Sequence, residues 1–322
     1  MVLRGGGLFG DQLLSQDGSL LFVCNVDAVV AFATSTGEQV ARLQHAARVT
    51  AVCLHPRDSL LLYSGSSDGR ITLWDLSTGA HVRLWHVGSP IESLAVSPSG
   101  DTAYISSHWR LRQAGRLFAF DLGSGAAKSS SGRAKVSQAR RLVASASGQI
   151  LATVDRHTAL VWAADTFPKH PLALTHTKPL TCAALSSTGD ALAVGDATGR
   201  ILLWRGVHAG LLACAAPGNE VGDMDAPAAE QLRARATVHW HAEPVCSMAF
   251  SPDDAYLLSG GHEGTCLRHI SPCAADPSCV AVSLSDNLVR MRTGSPDLSL
   301  HGSAASHPAA GPAGWGAKFA VF

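Results

Sequence analysis

Histidine and cysteine are the side chains of this 322-residue chain most able to do chemistry, and it carries 15 and 8 of them. Imidazole and thiolate bind metals and act as bases or nucleophiles, so their spacing is informative. Cysteines stand at 24, 53, 182, 214, 246, 266, 273 and 279, with no CxxC; the nearest pair, Cys273 and Cys279, is six residues apart. Zinc modules need tighter pairs, so that two thiolates reach one tetrahedral ion. Cys53 and Cys182 lie in apolar stretches and read as small buried hydrophobes, in a protein of a reducing compartment. His239 and His241 flank Trp240, where strand alternation would put both rings on one face. Two ligands do not close a zinc site, and no third candidate adjoins them. Ser, His and Asp abound, yet neither a GxSxG elbow nor a GxxxxGKS/T phosphate loop occurs. The pattern predicts no catalytic centre, no metal site and no cofactor.

A second chemistry belongs to the run 128–141, KSSSGRAKVSQARR. Here Lys128, Arg133, Lys135, Arg140 and Arg141 stand without an acid. Each cation can neutralise an RNA phosphate and release a counterion, so the five are candidates for RNA or partner contact. No aromatic interleaves them to stack bases, which favours a solvated connection. Residues 217–230 form an acidic counterpart with Glu220, Asp223, Asp225 and Glu230, read as an exposed loop or partner tether. Lys plus Arg and Asp plus Glu both total 25, so formal charge is zero and composition lends nucleic-acid binding no support. With 46% hydrophobic and 16% charged residues the chain can build a large core. The best apolar run, 20–33, is broken by Asn25 and Asp27 and is too short for a membrane helix. The N-terminus MVLRGGGLFG has no signal-peptide pattern. The expectation is a soluble, intracellular protein that does not enter membranes.

The elements that must position these residues repeat. Segments 49–58, 91–100, 180–189 and 245–254 share apolar residues six, three and one places before a turn, as in Val49, Val52 and Leu54 ahead of His55. That spacing suits a short strand ended by turn residues, not a helix. Five short apolar strands then end in an aromatic: Phe32, Trp74, Phe120, Trp162 and Trp204, separated by 42, 46, 42 and 42 residues. A four-stranded propeller blade takes about 40–45 residues. His45, His86, His176 and His241 precede the turns at His55, Ser97, Ser186 and Ser251 by 10, 11, 10 and 10 residues. Between 45 and 84 the set is complete: His45, Ser64, Asp68 and Trp74. It resembles the structural tetrad of WD repeats, whose hydrogen bonds tie a blade together. Elsewhere the set is degenerate, with Thr198 and Arg156 where other blades place Asp.

The reading is therefore an all-β WD-repeat propeller over 1–293, with turn starts at 15, 55, 97, about 147, 186, 251 and 271 marking about seven blades. Extra residues are expected near 123–137 and 206–237, the latter after blade five. Only 20 residues separate Ser251 from Ser271. Blade six should thus lack its outer strand, with His269 where its Trp belongs, as if residues were deleted there. The last blade reads as incomplete, which puts ring closure in question. Residues 294–322, rich in Gly, Ala, Ser and Pro, read as a disordered tail.

The stretch 180–206, the charged insertion after it, and 238–264 with its HWH triplet and LLSGG are more distinctive. Together with HISP at 269–272 and VSLSDNLVRM at 282–291 they are similar to the WD repeat-containing protein 75 family. That resemblance implies an N-terminal propeller of a longer protein, which carries a second propeller and a C-terminal extension. It implies a nucleolar, and so nuclear, subunit of the small-subunit processome, a scaffold supporting transcription and processing of pre-ribosomal RNA. Its implied partners are other t-UTP proteins, with pre-ribosomal RNA or the U-three small nucleolar ribonucleoprotein as further candidates. The competing expectation is a generic WD-repeat adaptor, such as a ubiquitin-ligase substrate receptor or chromatin reader.

Overall fold

The computed structural model describes residues 2–4, 9–107, 116–130, 141–168, 171–215, 236–262, 267–275, 280–284, 288–292 and 317–321. Strand β1 (Val2–Arg4) opens the chain. Blade one is β2 (Phe9–Leu14), β3 (Leu20–Asn25), β4 (Ala28–Ala33) and β5 (Gln39–Gln44). Blade two is β6 (Val49–Leu54), β7 (Leu61–Ser66), β8 (Arg70–Asp75) and β9 (His81–His86). Blade three is β10 (Ser93–Val96), β11 (Thr102–Ser107), β12 (Arg116–Asp121) and β13 (Ala126–Ser130). Blade four is β14 (Val143–Ala144), β15 (Ile150–Asp155), β16 (Thr158–Ala163) and β17 (Leu172–Thr175). Blade five is β18 (Leu180–Leu185), β19 (Ala191–Asp196), β20 (Arg200–Arg205) and, after helix α1 (Val207–Ala215), β21 (Ala236–His239). Then follow β22 (Val245–Phe250) and β23 (Tyr256–Gly261), β24 (Leu267–Pro272), β25 (Val280–Leu284) and β26 (Leu288–Arg292), and finally β27 (Ala317–Val321). The described strands make seven antiparallel sheets.

Blade two shows why these residues make this architecture. Along β7 and β8, Leu62 and Trp74 pack with Phe22, Cys24 and Val29 of blade one, while Tyr63, Ile71 and Leu73 pack with Ile105 and Phe118 of blade three. Successive side chains of a strand point to opposite faces, so a sheet wedged between two others must be apolar on both. The inner strands are buried almost throughout, whereas the outer β9 is exposed except at Trp85. Analogous apolar layers join blades three to four, four to five, five to six, and seven to one. Burying one Leu or Ile in such a layer contributes about 1.5–3 kcal/mol. The innermost strands neighbour one another around the ring, and β24 adjoins β2. At blades one, two, five, six and seven the ladder slips near the start of the innermost strand, as between Val49 and Ala51 or Leu180 and Cys182. A bulge at a recurring place adds twist.

The turns between first and second strands interlock. In each of five, a serine oxygen accepts the amide five residues on: Ser15 from Leu20, Ser97 from Thr102, Ser145 from Ile150, Ser186 from Ala191 and Ser251 from Tyr256. Blade two uses His55, whose Nδ1 faces the Arg57 and Asp58 amides. In blades one, three, four and five the turn carries a glycine that leans on the preceding blade. A Cβ on Gly148 would meet Pro98 at 2.5 Å, and one on Gly189 would meet Ile150 at 2.6 Å, with φ of +65° and +83°. Both positions require glycine for conformation and for space. Asp254 accepts the Ser187 amide at 2.7 Å, which links the turns of blades five and six.

Several expectations are corrected. Blade seven is complete, because β1 lies along β26 and pairs Val2 with Arg290. Gln12 also donates from Nε2 to the Ala281 carbonyl at 2.9 Å, and the Leu14 amide to Ser271 Oγ at 3.1 Å. The ring is therefore closed by strand pairing and side-chain bonds, which a three-residue strand did not advertise in the sequence. Blade six has three strands among the described residues, but 245–261 supply only two of them, and β27 joins as the third, pairing Leu258 with Phe319. That strand lies in the segment read as tail. His269 belongs to the first strand of blade seven, paired with Ser283, and not to a third strand of blade six. The insertion sits inside blade five, between β20 and β21, rather than after it. Within 123–137, β13 forms the outer strand of blade three. The fourth turn starts at Ser145, two residues before the position read, and Ser271 is still within a strand.

Helix α1 is the one helix among the described residues. The Asp190 carbonyl accepts the Val207 amide at 3.1 Å, and Val207 and Leu211, one turn apart, enter the blade four–five core. Leu212 projects outward, 75% exposed.

Candidate functional site

Strands β6, β7 and β8 hold the sequence-predicted tetrad. His45 precedes β6, and its Nδ1–H donates to the Leu43 carbonyl at 3.0 Å. Nε2 is then left to accept the Ser64 hydroxyl proton at 2.7 Å, and the same oxygen accepts the Trp74 indole N–H at 2.8 Å. Burial lowers the His45 pKa, which agrees with this neutral tautomer. Asp68 does not join the histidine. Its carboxylate takes the Ser66 hydroxyl and lies 3.4 Å from Arg70 Nε. The structure brings three of the four residues into one network and holds the fourth beside it.

Blade five solves the same problem with the residues exchanged. His176 Nε2 meets Asp196 Oδ2 at 3.2 Å, and Asp196 Oδ1 accepts the Thr198 amide and hydroxyl, both at 2.8 Å, and the Arg200 amide at 2.9 Å. Burial pushes the Asp196 pKa up, but these donors outweigh it and leave it lowered overall. Ser66-x-Asp68 has become Asp196-x-Thr198, so the acid absent at 198 stands two residues earlier. In blade six, His241 Nε2 meets Ser259 Oγ at 2.8 Å, both fully enclosed. His239 instead donates Nε2–H to the Thr198 carbonyl at 2.9 Å, so its ring and that of His241 serve different blades. His86 is exposed at the end of β9. Among the described residues no three His, Cys, Asp or Glu side chains group as metal ligands.

An axial channel of about 1010 Å³ is lined by residues from all seven blades. Glu92, Arg141, Cys53, Thr181, Cys182 and Cys246 are among its polar and thiol groups. Cys53 and Cys182 pack against the blade cores, as expected, and also line this channel; burial pushes the Cys53 thiol up to about 11. Arg141 Nη2 reaches Asp11 Oδ1 at 2.9 Å, joining the approach to blade four with the inner strand of blade one. Asp11 Oδ2 also takes the Val52 amide of blade two at 3.4 Å. No motif in the sequence pointed to Asp11.

The basic run is divided by this geometry. Lys128 is on the outer strand of blade three, 3.3 Å from Asp121 and 2.8 Å from Thr102 Oγ1. Arg141 is at the channel. Both described cations thus hold carboxylates of their own chain, one on the outer strand of blade three and the other at the channel. Arg133, Lys135 and Arg140 lie outside the described residues.

Comparison with known proteins fits this geometry. The family model for the WD repeat-containing protein 75 first beta-propeller matches residues 13–119. The model for the WD domain, G-beta repeat, matches 169–205 and 233–267. WD repeat-containing protein 75 of Danio rerio is 26% identical over 83% of this chain and 32% of its own length. That of Mus musculus is 24% identical over 97% of the chain and 35% of its own. The chain thus spans about a third of the curated relatives it matches. Eukaryotic translation initiation factor 3 subunit I of Aspergillus terreus is 29% identical over 34% of the chain and 32% of its own length. Among solved structures, the Myceliophteria thermophila Cps50 (Swd1) beta-propeller domain superposes with a TM-score of 0.68 at 16% identity, covering 92% of this chain and 99% of that one. At that identity the likeness concerns the fold alone. With closed radial blades, a His–Ser–Trp network in blade two and relatives of one kind matching most of its length, the chain is a WD-repeat β-propeller similar to WD repeat-containing protein 75.

Proposed function

We propose that the chain is a non-catalytic docking scaffold of ribosome biogenesis. It works in the nucleolus as part of the small-subunit processome and supports transcription and processing of pre-ribosomal RNA. Its partners are other t-UTP proteins, together with pre-ribosomal RNA or the U-three small nucleolar ribonucleoprotein. The observation that carries this reading is the likeness to the first propeller of WD repeat-containing protein 75, continued in full-length relatives over most of the chain. The site geometry agrees with it. His45, His176 and His241 are engaged in structural hydrogen bonds, and a stiff ring that holds loops on two faces suits assembly. The test is affinity purification of the tagged chain from cells, with bound proteins and RNA identified. Processome subunits and the long ribosomal precursor are expected. Their reproducible absence, with ligase or histone components in their place, would replace this reading by that of a generic adaptor.

A further inference from the structure

We propose that the axial channel, at the end framed by the turns between first and second strands, is a socket for a basic protein segment. That segment inserts one phenylalanine or leucine side chain, flanked on both sides by lysine and arginine. The two ends of the channel differ. Toward one end, Arg141 of blade four reaches Asp11 of blade one at 2.9 Å; these blades are not neighbours, so the pair spans the bore. Both ends of the pair are anchored. Ser93 Oγ accepts the Leu142 amide and donates to the Leu142 carbonyl, both at 3.1 Å, while Gln12 ties blade one to blade seven. The opposite end is apolar, lined by Leu54, Leu185 and Phe250 with Pro56, Pro98 and Pro252 at the rim. Ala144, Ala146 and Ala274 stand exposed among them, and such small side chains leave room for a larger one. A side chain that enters removes its own apolar surface and that of the lining from water. Charge selects what flanks it. The turns 15–19, 55–60, 97–101, 145–149, 186–190 and 251–255 carry Asp17, Asp58, Asp101, Asp190, Asp253 and Asp254 against the single cation Arg57. None of the six is ion-paired among the described residues. Hydroxyls of Ser15 and Ser251 hold the Asp17 and Asp253 carboxyls below the usual range, so they stay ionised at neutral pH. An acidic rim repels the phosphates of RNA and draws lysine and arginine to either side of an apolar anchor. The inference goes beyond the scaffold reading and depends on neither its compartment nor its particle.

The experiment uses the full chain and three fluorescent probes: the peptide GKRKFKRKG, the same peptide with glycine for phenylalanine, and a uridine oligonucleotide. Anisotropy should show the anchored peptide binding about tenfold more tightly than the anchorless one. Ala144→Trp puts a ring across the socket and should remove that advantage. Asp58→Lys together with Asp101→Lys should weaken both peptides and flatten the salt dependence of their binding. Equal affinity with and without the phenylalanine would overturn the proposal, since charge alone would then account for binding. So would undiminished binding of the anchored peptide by an Ala144→Trp chain that melts as the native chain does. Oligonucleotide binding that Ala144→Trp abolishes would place RNA at the socket and overturn it as well. Should Ala144→Trp fail to melt cooperatively, Ala146→Trp, on an exposed turn of the same blade, makes the same test. None of these outcomes bears on the processome reading, which the purification decides.

Discussion

Ser64 is the residue on which blade two turns, since one hydroxyl serves both His45 and Trp74. Ser64→Ala leaves two buried partners unsatisfied and should lower stability by about 1–3 kcal/mol in urea unfolding. Asp68→Asn should cost less than about 1 kcal/mol, because its carboxylate engages only Ser66 and Arg70 at a half-open turn. Acid should act through His45. Its folded pKa is lowered from 6.5, so the unfolded chain binds the proton more readily. The stability it contributes is complete above about pH 6.5 and is lost as pH falls toward the folded value. Thermal melts of the native chain and His45→Gln between pH 7.5 and 5 should converge on acidification; parallel curves would contradict this. His45 and Trp74 were legible in the sequence because their spacing recurs. The role of Asp68 was not, since spacing cannot say which neighbour a carboxylate chooses. Asp196 was hidden by the exchange with Thr198, and Arg141 read as an RNA contact because its partner Asp11 is 130 positions away.

At the scale of strands and turns, most was readable: alternation, the aromatic near the end of the third strand in blades one to five, and the turn residues defined the blades. Contributions from distant segments were missed. Three residues of β1 carry no periodicity to detect, yet they supply the outer strand of blade seven. Deleting residues 2–4 should lower the melting temperature and speed hydrogen exchange in β26 more than in blade two. Exchange unchanged in β26 would deny the strand its closing role. The interlocked turns make a separate prediction. Gly148→Ala puts a methyl against the Pro98 ring at a positive φ and should destabilise by more than about 1 kcal/mol, whereas Gly79, with nothing within 4 Å, should suffer only the backbone penalty.

For the whole molecule, zero formal charge means that RNA contact must come from placement of charge rather than excess. Reversing Arg133, Lys135 and Arg140 to Glu should weaken RNA binding by the reconstituted particle and flatten its salt dependence, by roughly 0.7 per lost phosphate contact for single strands. Filter binding across a salt series measures it, and an unchanged slope would return the run to a solvated connection. The closure of blade seven also governs how the molecule comes into being. Val2–Arg4 leave the ribosome well before Leu288–Arg292, and find their partner only once that strand has been made. At about 5–20 residues per second that is roughly 15 seconds to a minute of waiting. Until then the nascent propeller is an open arc with an exposed edge, a natural client for chaperones before the ring shuts.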